Sequence, residues 1–244
     1  MFRLGSDDFG DLPLAYAASA DNLFVDVDDP DSADIAFTGL ARVAAETETW
    51  TEARRSEFLD VDVLSSTGRM LGHYDLDSAA VRLDGGDDGG PVAVLEGARP
   101  VPLPGGLALW QRWCDESAPL EAGEWLDLSA DHRRTWLRIA RAVWGVNGYA
   151  DRPDARGAPA RMDGRLVEDE TSLYLVLGEA IAGPGGYVGW GLDALDDSLS
   201  GLSPNRIELA WDYFSTSRDA LGTEYLAEVL EILEERDVSV VIDV

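Results

Sequence analysis

The sequence contains no lysine: its 19 basic residues are all arginine, set against 47 acidic ones, for a formal net charge of −28. Such a field repels a phosphate backbone, which is bound through clustered cations and released counterions. Neither a nucleic-acid partner nor an anionic membrane is therefore expected. A basic protein is, because complementary fields speed encounter and reject like-charged competitors. Cysteine is almost absent too. Cys114 stands alone, so an intrachain disulfide is excluded and a reducing compartment is expected. No apolar run is long enough to span a bilayer. The first residues, Met1-Phe2-Arg3-Leu4-Gly5-Ser6-Asp7-Asp8, are acidic rather than apolar, so no signal peptide is expected and the cytoplasm is the expected location.

Catalytic equipment is equally sparse. The two histidines, His73 and His132, lie far apart, and His132 sits in an arginine-rich helix start where a solvated residue is the ordinary reading. There is no serine nucleophile elbow, no His-Glu-x-x-His and no phosphate-cradling glycine loop. Cys114 follows Trp110, Gln111, Arg112 and Trp113, with no histidine or second cysteine, which suits a buried structural thiol. The cluster Asp26, Asp28, Asp29, Asp31 and Asp34 lacks the sixth-position glycine and twelfth-position glutamate of a calcium loop. No carboxylate pair is set apart for glycoside chemistry. No enzymatic activity, metal or cofactor is expected.

What is present is ample material for a core: 244 residues, 45% of them hydrophobic. Composition shifts around Ala150, where Pro, Ala and charge alternate without an apolar period, as in an exposed linker. The expected division is an N-terminal domain over 1–149, a linker over 150–156 and a C-terminal domain over 157–244. The first part reads as β-rich α+β, with short strands at 23–26, 58–64, 79–83 and 91–95. Asp60-Val61-Asp62-Val63 alternates as a half-buried strand does. Ser129 then caps a helix with Trp136, Leu137, Ile139, Ala140, Val143 and Trp144 on its apolar side.

The second part alternates strands and helices. A strand is expected at 160–164, and a helix capped by Thr171 that stops at Gly183-Pro184. A short helix follows at 192–199, then a strand at 206–211, a helix around 225–233 and a buried strand at 238–242. That order predicts an α/β unit with a small parallel sheet. Within it lies Tyr187-Val188-Gly189-Trp190-Gly191-Leu192-Asp193-Ala194-Leu195-Asp196-Asp197-Ser198-Leu199-Ser200-Gly201. Leu192, Leu195 and Leu199 face inward at helical spacing. Asp193 and Asp197, at i and i+4, share the opposite side and repel by a few tenths of a kcal/mol. A cationic partner would remove that repulsion.

This segment resembles the binding loop and second helix of the barstar family, inhibitors of the ribonuclease barnase. Ala160-Arg161-Met162-Asp163-Gly164 resembles that family's first strand and turn. Ile207 to Phe214 resembles its second strand with the buried Trp, and Asp237 to Ile242 its last strand. The resemblance covers about a third of the chain in one collinear block. It implies a small three-stranded parallel sheet with helices, and one-to-one occlusion of a cationic active site in a basic secreted ribonuclease or toxin nuclease. It also implies a contact aromatic at Tyr187, a contacting carboxylate at Asp193 and the central anchor at Asp197. Gly189, Trp190, Gly191, Ala194, Asp196 and Gly201 complete the surface, and Glu231 or Glu235 supplies a contact from the last helix. Trp190 replaces an acidic residue of the family, Gly191 a capping Asn, and Asp196 an aromatic, so the cognate nuclease need not be barnase. The alternative is an immunity protein against a different toxin, with the contact made by the scaffold or by the N-terminal domain.

Overall fold

A computed structural model describes residues 1–5, 13–26, 33–41, 54–85, 90–148, 160–200 and 207–242. The linker expected at 150–156, the glycine-rich turn 85–90 in most of its length, Gly201 and most of the aspartate cluster after Asp26 lie outside them. Contacts divide the chain into two compact units, Met1–Pro119 and Leu120–Val244.

The first unit is built on β1 (Phe2–Gly5), β2 (Ala15–Ala17), β3 (Ser19–Asp21), β4 (Phe24–Val25), β5 (Ala33–Thr38), β6 (Arg54–Leu64), β7 (Met70–Gly85), β8 (Pro91–Ala98) and β9 (Val101–Pro102). Seven of these form an antiparallel sheet in the order β2-β1-β6-β7-β8-β5-β3, while β4 and β9 pair in parallel. Leu59, Val61 and Val63 on β6 share one face and are fully buried, while Asp62 on the other face is buried as well. Helix α1 (Gly106–Cys114) buries Trp110, whose indole N–H donates to the Tyr74 hydroxyl at 2.9 Å. β7 is far longer than the 79–83 strand expected. Its first half buries Leu71 and Leu76 and places His73 and Asp75 opposite Asp62 and Asp60 of β6.

In the second unit, α2 (Ala130–Asn147) starts at Ser129, whose side chain accepts the His132 N–H at 3.3 Å. It packs on α3 (Glu170–Ala182). Strands β10 (Ala160–Asp163), β11 (Ile207–Asp212) and β12 (Val238–Ile242) form a parallel sheet in that order, with Met162 opposite Trp211. Between the first two strands come a 3-10 turn at Gly164–Leu166, α3 and α4 (Leu192–Ser200). Between the last two come α5 (Phe214–Leu221) and α6 (Thr223–Glu235).

The cap of α3 is Asp169, not Thr171. Asp169 accepts from Ser172 N–H, and the Ser172 hydroxyl returns to the Asp169 backbone, a capping box that the sequence carries two residues earlier than expected. The stretch Ser172–Gly178 is buried at every position, so α3 is covered on all sides. Trp211 anchors the sheet. Its indole N–H donates to Ser217 Oγ at 3.1 Å, which donates to Gly164 O at 3.1 Å, and Phe214 stacks edge-on at 5.0 Å. The last strand corrects an expectation: Val238 is buried, but Val241 is 63% exposed and Ile242 37%. Among the described residues β12 is an edge strand, with one partner instead of two.

Candidate functional site

The loop from Gly183 to Gly191 joins α3 to α4. It begins where the Gly183 N–H caps α3 by donating to Glu179 O at 2.9 Å. Helix and loop then approach at Gly178 and Gly186. A Cβ on Gly178 would stand 3.0 Å from the Gly186 carbonyl carbon and closer to its oxygen. One on Gly186 would stand 2.7 Å from Gly183 O. Tyr187 and Val188 next turn inward and are buried. Gly189 reverses the chain at φ 140°, where a Cβ would stand 2.6 Å from Leu195 N.

Trp190 is thereby turned out. It is 59% exposed, with the Arg141 guanidinium 5.3 Å from its ring centroid. Gly191 O accepts the Leu195 N–H at 2.9 Å and starts the helical ladder of α4.

On α4, Leu195, Ser198 and Leu199 are buried, Leu192 is half-buried, and Asp193 and Asp197 are exposed. Neither aspartate side chain is in an ion pair among the described residues. Asp196, half-exposed, is engaged within the unit. The guanidinium of Arg236, just beyond α6, donates to both of its oxygens at 2.6 Å. That pairing holds the Asp196 carboxyl below the ordinary carboxylate range. The charges of Glu235 and Asp197 also act on Arg236. Glu235 thus shares an electrostatic neighbourhood with α4. Glu231, one turn earlier on α6, is also exposed.

Of the residues singled out in the sequence, the structure therefore presents Trp190, Asp193, Asp197, Glu231 and Glu235 to solvent, with Ala194 and Gly191 partly so. Tyr187 and Gly189 lie beneath them as supports. Gly201 falls outside the described residues.

The family model described as Barstar (barnase inhibitor) matches residues 158–240. Those residues are a Barstar-family domain. The match takes in β10 and β11, the first three residues of β12, the whole loop and all of α4 and α6, and it leaves residues 1–157 and 241–244 outside. No curated protein matches the chain. The Barstar domain is one of an inhibitor family, not an enzyme family, and no helix among the described residues is long and apolar enough to cross a membrane.

Outside the Barstar domain, one group among the described residues has the chemistry to hold a metal ion: Asp60, His73 and Asp75. Its histidine is already held on both nitrogens. Nδ1 lies 2.7 Å from Asp62 Oδ1 and Nε2 lies 2.9 Å from Asp75 Oδ1, while Asp62 is buried and bound by Arg3 Nε at 2.6 Å. Burial lowers the His73 pKa, but the hydrogen bonds to Asp62 and Asp75 outweigh it and raise the net value. Sequence reading missed this network. It exists because the β6–β7 register sets Asp62 opposite His73 and Asp60 opposite Asp75.

Proposed function

We propose that the Barstar domain binds and occludes the cationic active site of a barnase-type ribonuclease, in the cytoplasm of the cell that makes it. The observation that carries the reading is the pair Asp193 and Asp197, exposed together on a short helix whose other face is locked into the core. An active site that holds phosphate with Arg, Lys and His accepts a rigidly presented carboxylate in the phosphate's place. Asp197 is the central anchor, Asp193 a flanking contact and Trp190 an apolar shoulder. Glu231 or Glu235 adds a carboxylate from α6. Tyr187 and Gly189 shape the loop, and Asp196 contributes through its bond to Arg236.

Calorimetric titration of basic barnase-type ribonucleases into the full chain, at low and moderate salt, tests the reading. One-to-one binding that suppresses RNA cleavage and weakens with salt is the expected result. Asp197→Ala should cost about 2 kcal/mol or more, the size of a desolvated hot spot; barnase–barstar is itself the reference case for anchors of this kind. Full affinity in Asp197→Ala would overturn the assignment of the anchor.

A further inference from the structure

The Barstar match begins at residue 158, yet the compact unit that contains it begins at Leu120. We propose that residues 120–148 are a positioning arm for the 183–191 loop, holding it in the form that exposes Trp190 and launches α4. For its partner the arm rests on the ribonuclease-inhibitor reading above; the holding of the loop stands without it.

Three separate contacts run from this segment to the loop or its root. The Trp144 indole N–H donates to Gly185 O at 3.3 Å, fixing the first turn of the loop. Arg141, one turn earlier on the same helix, lies over the Trp190 ring at 5.3 Å, fixing its exposed end. At the root, Glu179 of α3 accepts the Gly123 N–H at 2.9 Å. Burial raises the pKa of Glu179, against the lowering effect of the Gly123 N–H. Its carboxylate therefore ties the turn before α2 to the last turns of α3, from which the loop departs. Arg133 closes the arm on itself and on the domain, donating to Leu126 O at 2.7 Å and to Glu168 Oε2 at 2.6 Å.

The composition of α3 requires the same cover. A surface helix shows one apolar stripe, whereas Ser172–Gly178 is buried without interruption. The sheet covers one side, and α2 packs on α3 as well. Without α2, apolar side chains of α3 would face water beside the very loop they support. The loop itself carries glycine at five of its nine positions, so its conformation has to be imposed from outside.

The experiment uses the full chain with Arg141→Ala, Trp144→Phe and both together, and Arg134→Ala as control. Arg134 pairs only with Asp131 on its own helix among the described residues. The first measurement is amide hydrogen exchange. Exchange across 183–191 should rise about tenfold in the double variant, about threefold in each single variant and not in the control, with β10 and β11 amides unchanged. Loop exchange within twofold of the parent overturns the proposal. So does an equal acceleration in β10 and β11, which would mark α2 as general support for the fold.

The second measurement is binding of a barnase-type ribonuclease. The double variant should bind about tenfold more weakly through slower association, because the competent loop is less populated, and unchanged affinity counts against the arm's role in presentation. If the parent chain binds no such ribonuclease, the inhibitor reading fails while the exchange result still decides the arm.

Discussion

Replacing a glycine by alanine inside a helix normally stabilises it by about 1 kcal/mol, because alanine has less backbone freedom to lose. The second unit contains two helical glycines for which the structure sets opposite outcomes. Around Gly145 on α2 there is open space, so Gly145→Ala should stabilise by about 0.5–1 kcal/mol. Gly178 on α3 faces the backbone of Gly186, with a new Cβ 3.0 Å from its carbonyl carbon and Tyr187 Cα at 3.4 Å. Overpacking costs about 1–3 kcal/mol, and backbone cannot rotate away as a side chain can, so the upper end applies. Against the helical gain of about 1 kcal/mol, Gly178→Ala should destabilise by about 2 kcal/mol, a fall of several degrees in the melting midpoint. The loop must also shift, so ribonuclease affinity should fall along with stability. Urea unfolding of the full-length variants, with titration of a ribonuclease that the parent binds, measures both. If Gly178→Ala stabilises as Gly145→Ala does and leaves affinity intact, the contact between helix and loop is not what shapes the binding surface.

Other outcomes follow from charge. Because the folded state raises the His73 pKa, the stabilisation from its bonds to Asp62 and Asp75 is complete below about pH 6.5 and is lost as pH rises through the folded value. Thermal melts of the parent and His73→Gln should therefore differ most at pH 5.5 and converge by pH 9. Asp196 has the opposite sign: its depressed pKa gives stability that is present above about pH 4 and is lost as pH falls through the folded value. Arg236→Gln should lower the melting midpoint at pH 7 and make no difference near pH 2. Asp212, bound to Arg161 at 2.5 Å at the end of β11, offers a contrast to Asp197. Asp212→Ala should leave ribonuclease affinity nearly unchanged in the calorimetric titration.

Most of the second unit was legible because its elements are short and each announces its own ends. Gly183 stops α3, the Leu195 and Leu199 spacing marks α4, and Trp211 sits in an alternating strand. Errors arose where a partner, not the local sequence, decides. Asp169 takes the cap from Thr171 because Ser172 returns the bond. Val241 and Ile242 read as core, but among the described residues β12 lies at the edge of its sheet and both are exposed. In the first unit the long β7 was hidden, since Gly72, His73, Asp75 and Asp77 interrupt its apolar residues and only the pairing with β6 runs the strand through them. At the candidate site, the spacing of Asp193 and Asp197 was visible in one dimension. The ion pair from Asp196 to Arg236 was not, because it joins residues brought together only by the packing of α4 on α6.

The open edge at β12 has a colloidal consequence. A strand with a free rung and two exposed aliphatic side chains is a template for pairing with another copy of itself. What keeps copies apart at neutral pH is a net charge of −28 on each. Near the isoelectric point of about 4.1 that mutual repulsion disappears while the edge remains. Turbidity should then rise sharply on titration to pH 4. Val241→Lys, which places a cation on the rung, should delay it, so that shelf life in acid is governed by one strand and not by the strength of the fold.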